Sequence, residues 1–546
     1  MRRAELPGLR TIFEGRLAHP LFGMLRLTWE IWMRLTFSKT ATVALLAVAA
    51  ATSAPAQLSP APAVSASLRA ARYFNSVRDQ PPLLVDFLER MPKGGDLHNH
   101  LSGAVYAESY IDYAAADGLC IDLAAAALLA PPCGDKPPAS RAVTDAELRN
   151  QLIDAWSMRN FHPTAEDRSA HDHFFATFGK FGPATNGHTG DMLAEVAHRA
   201  AAQHELYLEL MFTPDGGESR SLGSELGWND DYGLMRSRLL AGGIAKAVAD
   251  GRQNIDQAEE RMRKALDCGG AHPDAGCGVT VRYLYQVLRA NPKQQVFAQL
   301  LAGFEMASVD PRVVGLNMVQ PEDDPVALRD FDLQMGMLDF LHGLYPRVHI
   351  TLHAGELAPG LVRPDDLSFH IRESVEKGHA ERIGHGVDVM HERDARGLLA
   401  EMARRRVLVE ICLTSNDMIL GVRGKDHPLP VYLHAGVPVA LATDDEGVAR
   451  SELTWEYQRA VESYQLDYAT LKRMVRDSLD HSFLPGPSLW SSSQGTGQFR
   501  MISACGQEPL RPEPASVACR RYLDSSERAR IEWKEEVEFS RFEAGF

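Results

Sequence analysis

Gly95-Asp96-Leu97-His98-Asn99-His100-Leu101 sets two histidines one residue apart. On an extended strand residues i and i+2 share a face, so both imidazoles project to one side and supply half of a metal site. Three more polar clusters follow: His353-Ala354-Gly355-Glu356, Gly384-His385-Gly386 and Thr443-Asp444-Asp445. Each sits in or just after an apolar, β-branched run. Eight such runs occur, over 95–101, 206–212, 279–287, 313–319, 348–353, 382–389, 407–413 and 437–442. Helical stretches lie between them, over 190–204, 294–307, 328–344, 365–377 and 393–405. Repeated strand–helix alternation predicts a parallel sheet, and eight units close into an α/β (β/α)8 TIM barrel. An open doubly wound sheet is the alternative; it is disfavoured because no Gly-x-Gly-x-x-Gly turn follows the first run.

Reactive groups of such barrels sit at the carboxyl ends of strands. The four clusters fall on the first, fifth, sixth and eighth runs, largely at those ends. Two intervals, 102–189 and 213–278, are longer than a simple unit requires and are expected to hold helical insertions. The expected order is an N-terminal extension and signal peptide (1–56), a flexible mature N-terminus (57–77), the barrel (78–485) and a C-terminal extension (486–546). The last part includes the low-complexity Ser491-Ser492-Ser493 and then a charged helical stretch.

The 546 residues are 45% hydrophobic and 24% charged, as in a globular protein of the aqueous phase. A formal net charge of −15 argues against a binder of nucleic-acid backbones, which needs a basic face. Residues 41–51 form a short apolar run after Arg34 and Lys39, and Ala54-Pro55-Ala56 gives an A-x-A cleavage pattern before Gln57. That is the layout of a secretory signal peptide, too short to span a bilayer. The expected location is therefore secreted or periplasmic, with no stable membrane insertion after cleavage. Met33 would open a signal of ordinary length, so translation is expected to start there.

Seven cysteines agree with export. Cys120 and Cys133, Cys268 and Cys277, and Cys505 and Cys519 form three sequence-local pairs, while Cys412 stands alone in an apolar run. Six cysteines allow about fifteen connectivities, and local pairing that pins loops is the expected one. Cys412 reads as a buried core thiol.

Zinc takes histidine nitrogen and carboxylate oxygen, and a catalytic site keeps one position open. His98, His100, His353 and Asp444 supply that set for one Zn2+ per chain. Zinc lowers the pKa of water enough to yield hydroxide near neutral pH. His385, between two glycines, is placed to take that water's proton or to stabilise the hydroxide. Glu356 lies past the strand end, where a carboxylic acid can protonate a ring nitrogen as a nucleophile adds. Asp445 could orient both water and substrate. A lone histidine or loop carboxylate is more often a core or solvated group; agreement among four strand ends is what favours a site.

These residues resemble the adenosine deaminase family. The similarity rests on Met91-Pro92-Lys93-Gly94-Gly95-Asp96-Leu97-His98-Asn99-His100-Leu101, His353-Ala354-Gly355-Glu356, Arg382-Ile383-Gly384-His385-Gly386 and Thr443-Asp444-Asp445. The Met-Pro-Lys-Gly lead-in and Ser478-Leu479-Asp480-His481-Ser482-Phe483-Leu484 look most like its secreted, growth-factor-related branch. The resemblance implies zinc on His98, His100, His353 and Asp444. It also implies protonation of purine N1 by Glu356, assistance to hydroxide by His385 and a bond from Asp445 to N7. Phe174-Phe175-Ala176-Thr177-Phe178 resembles the family's apolar lid, which places Phe174 and Phe178 against substrate; a plain amphipathic helix is the competing reading.

Three departures bear on substrate fit. Ser102 stands where the family has an aspartate facing the ribose. Gln320, in Val319-Gln320-Pro321-Glu322, replaces a glycine that meets the purine through its backbone. Glu446-Gly447 follows the aspartate pair in place of proline. The expected activity is zinc-dependent hydrolysis of adenosine, or of a close 6-aminopurine nucleoside, to inosine and ammonia. One alternative is another mononuclear metal-dependent amidohydrolase acting on a different amine or amide. The other is a catalytically silent secreted nucleoside-binding protein.

Overall fold

Eight parallel strands follow one another around a sheet in chain order: β1 (Gly94–His100), β2 (Glu205–Phe212), β3 (Thr280–Leu288), β4 (Val313–Val319), β5 (His349–Ala354), β6 (Arg382–His385), β7 (Leu408–Ile411) and β8 (Val439–Leu441). The computed structural model describes residues 65–165, 167–491 and 499–546. They belong to one unit, Val64–Phe546; the other unit, Met1–Ala63, lies outside the described residues together with the expected signal segment and cleavage point. Most strand residues are buried, as in parallel strands covered by helices, and β4, β7 and β8 are largely aliphatic, whereas β1 and β6 carry polar residues. β2 pairs with β3 without a break from Tyr207↔Thr280 to Phe212↔Tyr285.

The ring closes at the functional end. His100 N–H donates to the Asp444 carbonyl at 2.9 Å, and Asp444 N–H donates to the His98 carbonyl at 2.8 Å. The seam between β1 and the chain just past β8 is thus made by the backbones of three predicted metal ligands. The fold is a TIM-barrel-like α/β barrel.

Helices precede successive strands. Thr189–Ala202 leads into β2, Ile244–Ala265 into β3, Lys293–Val309 into β4 and Pro325–Leu344 into β5. The last starts with Pro325 at its first position, and the Asp324 side chain accepts the Val326 amide, so capping and proline geometry set its start together. Three expected boundaries shift for local reasons. β6 stops at His385 and not at 389, because His385 (φ 69°) and Gly386 (φ 60°) turn left-handed and cannot extend a strand. β7 ends at Ile411, and Leu413–Leu420 is already helical. The helix expected over 365–377 is a 3-10 turn, Pro364–Leu367, and a short helix, His370–Glu376, separated at Phe369 (ψ −13°, φ −152°).

The two long intervals hold helices and disulfides. Cys120–Cys133 ties a hairpin of Cys120–Asp122 and Ala127–Leu129, and Cys268–Cys277 closes the turn after Ile244–Ala265. Cys505–Cys519 joins the C-terminal segment to the helix Val517–Asp524. All three pairs are the sequence-local ones, and Cys412 is a buried free thiol. Among the described residues no helix is long and apolar enough to cross a membrane.

The segment expected to be flexible over 57–77 differs in its described part. Ser65 caps a helix, Ala66–Val77, whose Phe74 is buried. Tyr73 meets the terminal Phe546 ring at 4.9 Å, and Phe87 meets Phe542 at 5.0 Å. Aromatic pairs of this kind add about 0.5–1.5 kcal/mol each beyond the area they bury. Ala/Ser/Pro-rich composition over 57–70 suggested flexibility; the described part, from Ser65 on, is a helix with Phe74 buried and Tyr73 packed on Phe546. Ser492 and Ser493 of the low-complexity stretch lie outside the described residues.

Candidate metal centre and active site

At the carboxyl ends of β1, β5 and β8, ligand atoms of His98, His100, His353 and Asp444 all lie within 4.8 Å of one another. His98 Nε2 and His100 Nε2 each stand 3.1 Å from His353 Nε2, and Asp444 Oδ1 lies 3.5 Å and 3.3 Å from the first two. Every Nδ1 is engaged on the far side. That of His98 donates to Glu410 Oε2 at 2.7 Å, and that of His353 to Asn317 Oδ1 at 2.9 Å. His100 Nδ1 meets Gln286 Oε1 at 3.1 Å. With the protons held on Nδ1, three Nε2 lone pairs converge on one point and cannot satisfy one another. A cation at that point can satisfy them all, so the donor set fits a divalent metal.

Electrostatics make the same demand. Burial disfavours charge on His98, yet the hydrogen bonds and charges of Asp444 and Glu410 outweigh it and push the imidazole up to about 10. Burial and the neighbouring imidazoles drive His353 well below its usual range. The carboxylates call for positive charge at the centre, and burial makes His100 and His353 resist taking it as protons.

Supporting groups orient these ligands. Asn317 Oδ1 also accepts the His353 backbone N–H at 3.0 Å, and Arg289 Nη2 donates to the His353 carbonyl at 2.7 Å. Ser415 Oγ donates to Asp444 Oδ2 at 2.6 Å. Behind His98, Glu410 Oε1 takes Arg382 Nε at 2.6 Å and Thr351 Oγ1 at 3.0 Å, and Arg382 Nη2 reaches Glu209 Oε2 at 2.5 Å. A Cβ on Gly384 would come within 2.5 Å of His98 Cε1, so only glycine lets β6 lie this close to the ligand. Asp444 holds a left-handed backbone (φ 63°). Such strain persists at sites whose surroundings over-determine it.

A cavity of ≈ 230 Å³ opens beside the cluster, lined by His100, His353, Asp444, Glu356, Asp445, Ser102, Gln286, Gln320 and the rings of Phe174, Phe175 and Phe178, among others. The predicted substrate residues therefore share one cavity. Ala170–Phe181 is a helix that buries Phe174 and turns Phe175 and Phe178 to the cavity, so it serves as core and as wall. Gln320 keeps a left-handed backbone (φ 90°), the conformation glycine adopts most readily, and its Oε1 accepts the Ala290 N–H at 3.0 Å.

Glu356 is held by Glu322, which accepts the Glu356 and Gly355 amides at 2.7 and 3.1 Å. Burial, then the charges of Asp444 and Glu322, raise Glu356 well above the usual carboxyl range. Burial and the adjacent Asp444 do the same to Asp445. A divalent charge would offset the Asp444 contribution and leave burial as the cause. Asp445 Oδ1 has no partner among the described residues. A Cβ on Gly103 would overlap it at 1.5 Å, so Gly103 makes its space. His385 Nε2, also without a hydrogen-bond partner there, lies 3.7 Å from Glu356 Oε1, and burial pushes this imidazole down to about 3.

The sequence singled out the ligands and Glu356, His385 and Asp445; it missed Glu410, Asn317, Gln286, Ser415 and Glu322. For Asn317 and Glu410 the signal was a polar letter inside a strand otherwise built of buried apolar residues; Gln286, in a mixed strand, Ser415, in the helix after β7, and Glu322, past β4, had no such mark.

Barrel and cluster together define an α/β-barrel protein with a candidate metal site at the carboxyl ends of its strands. The sequence model of the family described as adenosine deaminase matches residues 184–489, more than half of the chain, and the chain belongs to that family. His98 and His100 precede the matched span and reach the site through the fold. Adenosine deaminases of Salmonella heidelberg and Salmonella typhi are 36% identical over 137 residues, 25% of this chain. The alignment spans 38% of the length of those relatives. Among solved structures, the Arabidopsis N6-mAMP deaminase covers 73% of this chain and 96% of its own at 20% identity and TM-score 0.49. The adenine deaminase of Arthrobacter aurescens covers 72% and 94% at 18% identity and TM-score 0.47.

Proposed function

We propose that this chain is a zinc-dependent aminohydrolase that converts adenosine, or a close 6-aminopurine nucleoside, with water to inosine, or the matching 6-oxopurine, and ammonia. The observation that carries the reading is the convergence of three Nε2 lone pairs and one carboxylate beside a cavity that also holds Glu356. His98, His100, His353 and Asp444 would hold the ion, which when bound supplies the Lewis acidity that lowers the pKa of water toward neutrality.

Glu356, kept protonated by burial, gives its proton to N1 as oxygen adds at C6; its carboxylate then carries the hydroxyl proton of the adduct to the amine, which leaves as ammonia as the C6–N bond breaks and the 6-oxo group forms. Asp445 turns its unpartnered oxygen to the cavity and, protonated, donates to N7. His385 brings Nε2 to the side of Glu356 that faces the ligands. Phe174, Phe175 and Phe178 offer apolar surface to the purine and keep water from its faces.

The cavity also speaks to substrate class. No lysine or arginine is among the described residues lining it, so a 5′-phosphate would lack the cationic partner that phosphate sites use. An uncharged nucleoside is favoured over its monophosphate. Ser102 would meet the sugar with a hydroxyl, and Gln320 would present an amide where a backbone otherwise approaches the purine.

Three disulfides support an oxidising compartment, and with the signal-like N-terminus they support a secreted or periplasmic enzyme of the growth-factor-related branch, whose barrel occupies about residues 78–485. The test is to incubate zinc-loaded protein with adenosine, deoxyadenosine, adenine and AMP and follow ammonia. Release from the nucleosides is expected. Silence with all four contradicts deamination, and AMP as the best substrate contradicts the uncharged pocket.

A further inference from the structure

The hydrogen bonds behind His385 have a definite direction, because they begin at a backbone amide. Leu429 N–H, which can only donate, points at His427 Nδ1 at 3.1 Å. That nitrogen must accept, so the ring carries its single proton on Nε2. His427 Nε2 lies 3.1 Å from Asn416 Oδ1, and Asn416 Nδ2 lies 3.0 Å from His385 Nδ1. Rotating the Asn416 amide would set N–H against N–H at His427, so the carbonyl oxygen has to face that ring and the NH2 group has to face His385. His385 Nδ1 is then an acceptor. A proton there would collide with the Asn416 donor, which excludes both the Nδ1–H tautomer and the imidazolium. What remains is a neutral ring with its hydrogen on Nε2.

All three side chains are buried, so no bulk water can substitute for a missing partner. Burial alone lowers His427 to about 4, which keeps the start of the relay neutral. At the other end His385 Nε2 has no partner among the described residues and faces Glu356 Oε1 at 3.7 Å, with the His98 ring 4.9 Å away. The left-handed backbone of His385 aims the ring there at a conformational cost.

We infer that Asn416 and His427 are positioning residues that lock His385 as the Nε2–H tautomer, making it a hydrogen-bond donor to the hydroxide oxygen that adds to the substrate; the proton shed in forming that hydroxide passes to solvent before addition and not to His385. Of the two roles open to His385 from sequence, the relay selects stabilisation. A fixed donor aimed at developing negative charge needs no reorganisation during reaction, and removing one such donor commonly costs about 10²–10³ in kcat. The hydrogen bond itself transfers no proton. The inference rests on the deamination reading for its catalytic consequence, while the tautomer stands on geometry alone.

Two measurements test it. In zinc-loaded protein labelled with 15N-histidine, long-range 1H–15N correlations report which ring nitrogen is protonated, with His385→Ala identifying the resonance. The Nε2–H pattern is expected near neutral pH; an Nδ1–H or doubly protonated ring in the unaltered protein overturns the relay whatever the turnover. Asn416→Asp can only accept from both neighbours and should move the His385 proton to Nδ1. It should lower kcat by about 10-fold or more with KM little changed and zinc still bound. His427→Phe should act likewise, whereas His427→Gln, which keeps a donor toward Asn416 and an acceptor toward Leu429, should recover most of the rate. Wild-type kcat in Asn416→Asp or in His427→Phe overturns the relay. An unaltered protein with the expected tautomer but no turnover on any aminopurine instead contradicts deamination and leaves the geometry standing.

Discussion

Glu410 Oε2 accepts the Nδ1–H of His98 at 2.7 Å, while the other oxygen of the same carboxylate binds Arg382. One buried acid therefore orients a predicted metal ligand and neutralises a buried guanidinium. Its negative charge also makes Nε2 of His98 a stronger donor to a cation.

Glu410→Gln should weaken zinc binding by about 10–100-fold, the usual cost of losing such an outer partner. Competition against a chromogenic chelator measures it. Because the amide keeps the shape of the acid, circular dichroism should stay native. Unchanged zinc affinity would show that His98 does not need this carboxylate.

Glu356→Gln removes the acidic proton and keeps the volume of the side chain and its backbone bonds to Glu322. Zinc content should be retained while kcat falls by about 10²–10⁴, the range for a positioned general acid. Full activity in that variant would remove Glu356 from the mechanism.

Gln320 pairs a left-handed backbone with a hydrogen bond from Ala290. Alanine there keeps the strain and loses the bond, whereas glycine loses both. Left-handed geometry costs a non-glycine residue about 1–2 kcal/mol, so Gln320→Gly should be more stable than Gln320→Ala by about 1 kcal/mol in urea unfolding. Both should change KM more than kcat. Equal stability of the two would deny that the position is strained.

Glu532, on the C-terminal helix Glu527–Ala544, accepts the Leu489 amide at 2.6 Å. Burial, and then Asp480, raise it from 4.5 to about 8. Between those values the unfolded chain has released a proton that the folded chain still holds. Its contribution is therefore complete below about pH 4.5 and is lost as pH rises through about 8. Glu532→Gln cannot ionise, so relative to wild type it should gain stability from about pH 5 to about pH 8, by an amount on the order of a few kcal/mol. Unfolding midpoints at the two pH values give the difference; a constant offset would contradict the raised pKa.

Much of the barrel was legible because its evidence is periodic and local. Aliphatic runs such as Val313–Val319 recur between helical stretches, and a buried parallel strand has few other compositions open to it. His98 and His100 were legible for a geometric reason, since a strand puts alternate residues on one face. Asn317 and Glu410 were not, because a single polar letter in an apolar run gains meaning only once His353 and His98 lie across the sheet from it. The early end of β6 depends on the left-handed backbone of His385, which no residue type announces. The helix Ala66–Val77 was not legible for a related reason: Phe546, which packs on its Tyr73, stands at the opposite end of the chain.

The most direct test of the account is a crystal structure of the zinc-loaded protein with anomalous data at the zinc edge. One ion is expected, bonded to Nε2 of His98, His100 and His353 and to Asp444 Oδ1 at about 2.0–2.2 Å, with an open side toward Glu356 and His385. Two ions in the site, or one ion that leaves any of the four residues unbound, would contradict it.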